Sequence, residues 1–493
     1  MHSCLLLTKW DVDTLTIALT DDPSPLFFVL TNTRGMSPNE AAVITREVCR
    51  NLKAALFSLN NNNNNNDDDD DDDDEASNNK TTPGRSRTIH PILVSRSDST
   101  LRGHYPVETN VMAEELGPFD AHFLIPAFFE GGRITRNGTH YLQQPQQQQL
   151  DQPPLPPLLI PCHDTEFAKD SVFGYSTSYL PDYIAEKTQG TIPADHVEQF
   201  TLDDLRHHDG AECYAKLRAL HNNTCCIVDC EVQADLDRFA TQLIAVVANT
   251  NHNNNSNDSS NDNGNGNGNA TSTEISNNDD WCHRPRTFLF RSGASILTSL
   301  AMLPPQPIQP TEMGQYVRDS RPGVILIGSH VKKTTLQLEQ LLKMEENTVV
   351  RLLVNVERIY QHKKEENTEE QLKALLLNIL SKIRKIHTEG KTPVIYTSRT
   401  ELTDFDTDEE RLLFGQEVSK FLMEVVQNLP TTIGFLISKG GITTNDVLSH
   451  GLSLPTSRVL GQILPGCSVV KCPSDHPRYP DLPVVIFPVS VYR

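Results

Sequence analysis

Long apolar stretches and paired cysteines are both missing from this sequence. No stretch approaches the ~20 apolar residues of a membrane-spanning helix, and the run Cys4–Leu7 is too short for the core of a signal peptide. The 10 cysteines are scattered and none forms a C-x-x-C pair, which argues against a zinc site or a disulfide framework. The sequence therefore predicts a cytoplasmic protein with no membrane partner and no metal held by its own side chains.

Positive charge is also scarce. The 43 Lys and Arg residues face 64 Asp and Glu residues, which gives a formal net charge of −21. The acidic run 67–75 accounts for nine of these charges and leaves −12 for the rest of the chain. Because no basic stripe is present to neutralise phosphates, nucleic-acid binding is disfavoured. A small anionic substrate is still compatible with this balance, since local Arg and Lys residues set the field inside a binding site.

The sequence does contain a regular alternation of strand and helix patterns. Short apolar runs such as Pro25–Leu30 and Val324–Ile327 end in polar or glycine-containing loops, and periodic segments such as 369–387 predict helices. Alternation of this kind is typical of right-handed βαβ units around a parallel sheet. We therefore expect an α/β protein with two doubly wound, mostly parallel-sheet domains and a cleft between them.

The segment that follows the Pro25–Leu30 run contains residues typical of a helix N-terminus. Ser37 has the properties of an N-cap residue, Pro38 suits the first helical position, and Glu40 can complete a capping box. Apolar residues then recur every four positions from Ile44 to Leu56. This spacing predicts a helix with one buried face.

Composition changes mark the predicted domain boundaries. Dense proline over 304–310 breaks both helix and sheet, so the predicted domains are 1–303 and 324–493, joined by a linker over 304–323. Three low-complexity tracts cannot bury enough apolar surface to offset the entropy of ordering them. These predicted disordered insertions are an Asn/Asp tract at about 60–80, a Gln/Pro tract at about 143–157 and an Asn/Ser/Gly tract at about 249–280.

The stretch from Ile92 to Glu108 has the most chemistry. Its first residues, Ile92–Val94, predict a buried strand, which places the following polar residues just past the carboxyl end of that strand, where open α/β sheets hold ligands. Asp98 can accept a proton or hold an alcohol, and Arg102 can bind a carboxylate or phosphate through two N–H groups. The simpler alternative is a polar loop in which Ser99 or Thr100 caps a helix and Arg102 is solvated.

Two loops in the second half have a different character. Residues 328–335 and 440–444 each follow a predicted strand and combine glycine with Ser or Thr hydroxyls. Backbone amides and hydroxyls in such loops can surround an anion, although each loop alone is more often a plain turn. Two of them on one sheet favour a ligand of triphosphate size.

Four motifs in order resemble the four-carbon acid sugar kinase family. The resemblance covers nearly the whole chain outside the low-complexity tracts and implies ATP-dependent phosphorylation of threonate, erythronate or an oxo derivative at the terminal hydroxyl. It also implies a sugar-acid-binding role for the first domain and a nucleotide-binding role for the second, with ATP and Mg²⁺ as cofactors. The motifs are Asp98-Ser-Thr-Leu-Arg-Gly103, Pro126-Ala-Phe-Phe-Glu-Gly-Gly-Arg133, Thr165-Glu-Phe-Ala-Lys-Asp-Ser-Val-Phe-Gly-Tyr175 and Lys439-Gly-Gly-Ile-Thr-Thr-Asn-Asp446.

Carried onto this sequence, the resemblance suggests specific roles. Asp98 would bind the substrate hydroxyls and act as the base, and Arg102 would bind the carboxylate, with help from Arg34. Arg133 either faces the substrate or forms a structural pair with Glu130. The remaining implied contacts are Ser99 for the sugar acid, and Ser329, Gly440, Gly441, Ile442 and Thr443 for ATP.

The sequence departs from the family pattern at both ends. The family's first strand, which ends in Asp-Asp-x-Thr-Gly, has no counterpart near Leu6–Asp11, and no Gly-Asn-x-Gly loop follows Phe487-Pro488. An active kinase and a homologue that binds nucleotide or sugar acid without turnover both fit this pattern. A nicotinamide-dependent dehydrogenase is disfavoured because no strand opens into G-x-G-x-x-G.

Overall fold

We describe a computed structural model of the chain, which separates into two compact units. The central unit is His90–Met302, and the discontinuous unit combines Met1–Ile89 with Leu303–Arg493. The residues that the structure describes are 4–22, 24–64, 89–144, 146, 155–170, 172–207, 210–248, 286–303, 310–329, 332–344, 348–363, 368–400, 402, 405, 407–464 and 466–487.

The strands are numbered in chain order. They are β1 Leu5–Leu7, β2 Phe27–Val29, β3 Leu93–Arg96, β4 Ala121–Ile125, β5 Arg133–Arg136, β6 Thr139–Gln144, β7 Leu158–Pro161, β8 Glu198–Phe200, β9 Thr224–Val228, β10 Phe288–Ser292, β11 Val324–Ile327, β12 Val349–Val354, β13 Thr392–Thr397, β14 Leu436–Lys439, β15 Thr456–Leu464, β16 Cys467–Lys471 and β17 Pro483–Phe487.

The α-helices are numbered in the same way. They are α1 Val12–Thr20, α2 Pro38–Asn64, α3 Val107–Leu116, α4 Leu180–Lys187, α5 Leu202–Arg206, α6 Ala211–Ala219, α7 Gln233–Val247, α8 Ser295–Leu300, α9 Lys332–Met344, α10 Val356–Lys363, α11 Thr368–Thr388, α12 Asp408–Gln427 and α13 Gly441–Asp446.

The discontinuous unit is built on one large mixed sheet. Its strand order is β12-β13-β11-β14-β17-β16-β15-β1-β2, in which the run from β12 to β17 is parallel and β16 and β15 are antiparallel to their neighbours. The central strand β11 is fully apolar and buried, with Val324 and Leu326 at 0% exposure. A strand of this kind needs cover on both faces, which α9, α11 and α12 supply through Leu338, Ile383 and Val425.

The central unit has a smaller, wholly parallel sheet of order β3-β10-β4-β9-β8. An antiparallel sheet of order β5-β6-β7 accompanies it. Phe123 on β4 is fully buried and its ring stacks on that of Phe290, with 5.2 Å between the ring centroids. The rings of Phe200, Phe239 and Phe288 lie 5.3–5.8 Å from it.

The predicted α/β class with two mostly parallel-sheet domains is confirmed. The predicted boundary at residue 303 differs from the observed division, because Met1–Ile89 belongs with the second half of the chain. The physical reason is strand pairing: β1 pairs with β2 on one side and with β15 on the other, and its three leucines are buried. Part of the predicted linker 304–323 is attached to the discontinuous unit. Arg318 donates hydrogen bonds to the carbonyls of Thr431, Ile433 and Pro480.

The predicted start of the helix after the Pro25–Leu30 run is confirmed, because hydrogen bonds within that segment decide where the helix begins. Helix α2 begins at Pro38 as predicted, and the capping box forms in both directions between Ser37 and Glu40, at 2.8 Å and 3.3 Å. The predicted tracts overlap ordered elements at two edges, because α2 continues to Asn64 and β6 continues to Gln144. Most of the three tracts, and the segment 488–493, lie outside the described residues.

Candidate functional site

The loop that follows β3 in the central unit is held by its backbone. Ser97 N donates to Ser292 O on the neighbouring strand β10, at 2.8 Å. Two buried tyrosines reach the same loop, Tyr175 OH donating to Thr100 O at 2.9 Å and Tyr183 OH donating to Leu101 O at 2.6 Å. Burial raises the pKa of both phenols, so each remains a hydrogen-bond donor at neutral pH. The loop is therefore fixed by the fold around it.

Gly103 ends this loop in a conformation that other residues avoid. Its φ is +127°, and a Cβ added there would lie 2.6 Å from Nη2 of Arg291. Arg291 is buried on β10 and pairs with Glu108 on α3, while its Nη1 also donates to Ser95 Oγ at 2.8 Å. Only glycine allows the backbone to pass this close to a fixed guanidinium.

Asp98 and Arg102 contact each other within the loop. Arg102 Nε donates to Asp98 Oδ2 at 2.7 Å, and Thr100 Oγ1 donates to the same oxygen at 2.7 Å. Arg102 Nη1 lies 3.4 Å from Asp170 Oδ2. The side chains of Asp98 and Arg102 retain 11% and 17% of their exposure, so both can still be reached from solvent. The alternative of a solvated Arg102 is wrong, because this guanidinium is held between two carboxylates.

Arg133 lies in the same region, deeper in the fold. It is 0% exposed, and its Nη1 donates to Gly131 O. Phe167 connects the two arginines, because its ring centroid lies 5.0 Å from Cζ of Arg102 and 5.9 Å from Cζ of Arg133. Glu130 is exposed. The arrangement places two guanidinium groups near one aromatic ring, with Arg102 in contact with Asp98.

His140 closes the buried side of this region. It is fully buried, with Nε2 2.9 Å from Ser99 O and Nδ1 3.0 Å from Thr135 Oγ1. Burial lowers its pKa to about 4, and Arg133 contributes in the same direction. A neutral ring therefore donates from Nε2 to the carbonyl of Ser99, so the structure gives Ser99 a backbone role in the loop.

The discontinuous unit brings the two glycine-containing loops into contact. A Cβ added to Gly328 would lie 2.2 Å from Thr443 Oγ1, so this position has room only for glycine. Gly440 has a φ of +118°, and a Cβ there would lie 3.4 Å from Ser329 Cβ. The loops follow β11 and β14, which are adjacent and parallel, so their carboxyl ends meet at one edge of the sheet. Ser329, Gly440 and Thr443 are thus assembled in one place.

The other residues predicted near these loops have distinct positions. Gly441 has no atom within 4 Å of an added Cβ, and Ile442 is 50% exposed. A Cβ on Gly35 would lie 3.5 Å from Cδ1 of Ile442, and Asn32 Nδ2 donates to Asp446 Oδ1 at 3.3 Å. Arg34 therefore lies in the discontinuous unit, which also contains the glycine loops, whereas Asp98 and Arg102 belong to the central unit.

Two positively charged residues near these loops were not predicted as site residues from the sequence. Arg399, just after β13, donates from Nη1 to Ser329 O at 2.6 Å. Lys439, the last residue of β14, is buried, with Nζ 4.1 Å from the ring centroid of Phe487. Lys439 was visible in the Lys-Gly-Gly motif, and Phe167 and Asp170 were visible in the Thr165–Tyr175 motif. Nothing local distinguishes Arg399, because its role comes from a neighbouring strand.

Two searches of the described residues returned nothing. Over these residues, no group of three or more His, Cys, Asp or Glu side chains is arranged to hold a metal ion. None of the helices traced there combines the length and the apolar composition needed to cross a bilayer.

Comparison with known protein families divides the chain in two. Residues 75–255 match a family described as a sugar-binding N-terminal domain, and residues 324–490 match one described as a nucleotide-binding C-terminal domain. The first match contains the Asp98 loop and the second contains both glycine loops. A search of curated proteins found no match.

Among solved structures, one with a TM-score above 0.5 shares this fold at low sequence identity. A Salmonella typhimurium LT2 protein provisionally named a tRNA synthase is 13% identical, with a TM-score of 0.55 over 100% of this chain and 91% of that one. A Haemophilus influenzae protein of the family DUF1537 is 15% identical, with a TM-score of 0.49 over 99% and 90%. A citrate-bound DUF1537 domain from Bordetella bronchiseptica is 15% identical, with a TM-score of 0.34 over 99% and 88%.

Proposed function

Because this chain belongs to the four-carbon acid sugar kinase family, we propose that it uses ATP to phosphorylate a four-carbon sugar acid at its terminal hydroxyl. The substrate class is threonate, erythronate or a 3-oxo-tetronate. The observation that carries the proposal is the contact between Gly328 and Thr443, which joins two loops suited to phosphate in the unit that matches a nucleotide-binding domain.

The central unit would hold the sugar acid. The guanidinium groups of Arg102 and Arg133 both lie near the ring of Phe167 and can neutralise a carboxylate, while the oxygens of Asp98 can accept hydrogen bonds from substrate hydroxyls. A charge-assisted hydrogen bond contributes about 1.5–3 kcal/mol, so Arg102 would change affinity for the acid about tenfold to a hundredfold. In this proposal, the side chains of Arg102, Arg133 and Asp98 recognise the acid.

The discontinuous unit would hold ATP. Glycine at 328, 440 and 441 lets the backbone approach phosphate oxygens closely, and Ser329 and Thr443 add hydroxyl donors. Mg²⁺ would be carried by the phosphates and water, because the nearby carboxylate of Asp446 already accepts hydrogen bonds from Asn32 and Ser419. The ion supplies charge neutralisation on the phosphate oxygens.

Phosphoryl transfer depends mainly on how the protein positions the reacting groups, and it requires little covalent participation by the protein. The terminal hydroxyl oxygen attacks the γ-phosphorus, the bond from that phosphorus to the β–γ bridging oxygen breaks, and ADP leaves. Asp98 takes the hydroxyl proton, because its carboxylate accepts the hydrogen bond of the attacking alcohol. Arg102, 2.7 Å away, keeps that carboxylate in a fixed orientation.

The direct test is turnover by the purified chain. ATP and Mg²⁺ are incubated with D- and L-threonate, D- and L-erythronate and a 3-oxo-tetronate in turn, and ADP release is followed. Phosphorus NMR of the product should show a phosphate ester on the terminal carbon. ADP release that does not depend on any of these acids would contradict the proposal. Calorimetric binding of ATP and acid without ADP release would indicate a homologue that binds both ligands and does not turn them over.

A further inference from the structure

Arg399 extends from the end of β13 to the loop that follows β11. Its Nη1 donates to Ser329 O at 2.6 Å, its Nε to Thr397 O at 2.9 Å, and its Nη2 to Thr397 Oγ1 at 2.9 Å. Thr397 Oγ1 donates in turn to Gly328 O at 3.1 Å. The guanidinium therefore lies directly beside the residues that bring the two glycine loops together.

The electrostatic setting of Arg399 differs from that of the arginines buried in the central unit. Arg291 pairs with Glu108, and Arg286 pairs with Asp120 at 3.0 Å. The three acceptors around Arg399 are neutral oxygens, and within the described part of the chain Arg399 forms no ion pair with a carboxylate. Burial lowers the pKa of Arg399, and the neighbouring Tyr396 acts in the opposite direction.

A purely structural brace would not require this charge. Neutral amide donors can bind the same carbonyl and hydroxyl oxygens, whereas a guanidinium removed from water without a counter-ion is unfavourable. Arg399 has five N–H donors and uses three in the bonds above, which leaves two for a ligand. A ligand that carries negative charge at Ser329 would supply a counter-ion that the described residues do not provide.

We propose that Arg399 binds the phosphate groups of the nucleotide at the loops formed by Gly328–Ser329 and Gly440–Thr443. This inference rests on the proposed function. In this proposal the phosphates are bound by the backbone of the two loops and also by a side chain that follows β13, a third strand of the parallel sheet. That side chain neutralises the phosphate charge. The same guanidinium that positions Ser329 then neutralises the group that Ser329 helps to bind.

The experiment compares ligands with and without phosphate. ATP and adenosine are titrated separately into the full-length chain and into Arg399→Gln by calorimetry. We expect the variant to bind ATP about tenfold to a hundredfold more weakly, since a charge-assisted contact is lost, and to bind adenosine within about twofold of the unchanged chain. Arg351→Gln is the matched control, because Arg351 is exposed on β12 in the same unit, and its ATP affinity should not change.

The outcomes separate this inference from the function beneath it. If the unchanged chain binds no ATP, the proposed function fails and the inference fails with it. If the unchanged chain binds ATP and Arg399→Gln binds it equally well, only the role of Arg399 is overturned. An equal loss of affinity for ATP and for adenosine also overturns the inference, because it would mean that Arg399 only holds the loop in its conformation.

A second measurement avoids the variant in case Arg399→Gln does not fold. Phenylglyoxal modifies accessible guanidinium groups, and mass spectrometry of the unchanged chain reports the extent at each arginine. We expect tripolyphosphate to protect Arg399 at least severalfold and to leave Arg351 unprotected. Equal modification of Arg399 with and without tripolyphosphate would contradict the inference.

Discussion

The two candidate sites differ in the kinds of group that they could offer to an anion. In the central unit, charged side chains neutralise one another and are positioned by buried tyrosines, as in the Asp98–Arg102–Asp170 chain of contacts. In the discontinuous unit, glycines bring backbone segments together, and the hydrogen bonds of Arg399 to described residues go to neutral oxygens. A small polyhydroxy acid has to be distinguished by its individual groups, which calls for side chains. Phosphates are shared by all nucleotides, so close backbone approach and charge are sufficient.

The largest effect expected from this contrast is on turnover. Asp98→Asn keeps the size of the side chain but removes the proton acceptor, so we expect kcat to fall by about a hundredfold or more. ATP affinity should be unchanged, because Asp98 belongs to the other unit. Both quantities are measured on the same preparation, by ADP release and by calorimetry. Asp182→Asn, an exposed carboxylate at the start of α4, is the control and should retain full activity. Loss of ATP binding in Asp98→Asn would break the comparison.

An effect of intermediate size should come from His140 and pH. Its pKa is lowered from 6.5 to about 4 in the folded chain, so the unfolded chain binds more protons between these values. Stability from this group is therefore complete above pH 6.5 and is lost as the pH falls toward 4. Its contribution to the free energy of unfolding should fall by about 2 kcal/mol between pH 7 and pH 5.

Denaturant unfolding at the two pH values tests this, with hydrogen exchange to assign the change to a unit. His140→Gln should reduce the pH dependence by about 2 kcal/mol, and the loss should appear in the central unit. His207→Gln is the control, since the side chain of His207 is 63% exposed. Identical pH dependence in the unchanged chain and in His140→Gln would contradict the assignment.

The smallest effect should come from the contact between the glycine loops. Gly328→Ala places a methyl group 2.2 Å from Thr443 Oγ1 and should separate the loops. Overpacking of this kind destabilises by about 1–3 kcal/mol, so we expect ATP affinity to fall about tenfold or more, with sugar-acid affinity unchanged. Gly415→Ala is the control, because Gly415 is exposed within α12 with no atom within 4 Å of an added Cβ. Equal ATP affinity in both variants would remove the glycine contact from the comparison.

The sequence anticipated the elements whose signals are local. The apolar run Val324–Ile327 forms β11, and the periodic segment 369–387 lies within α11, which is one residue longer at each end, because the apolar pattern of each element reflects its own buried face. The antiparallel strands β15 and β16 were not predicted. Their sequences carry polar residues and glycine, and they are strands because β17 and β1 flank them in the sheet.

The site residues divide along the same line. Asp98 and Arg102 are four residues apart, so their contact is within reach of sequence reasoning, and the pairing of the two glycine loops follows from the meeting of parallel strand ends at one sheet edge. Arg34 was assigned to the first domain with Asp98, whereas its segment belongs to the discontinuous unit, so its role toward the acid stays a prediction. A boundary drawn from composition cannot detect a strand that returns to a distant sheet.

By itself, the sequence determined the α/β class, the family and the two loops with the residues best suited to hold anions. These features depend on short-range periodicity and on motifs that keep their meaning in any surroundings. Only the tertiary structure decided that residues 1–89 pair with the C-terminal half, that His140 and the tyrosines fix the Asp98 loop, and that Arg399 lies beside Ser329. Those facts depend on which strands become neighbours, and neighbours distant in sequence are chosen by burial of the whole sheet.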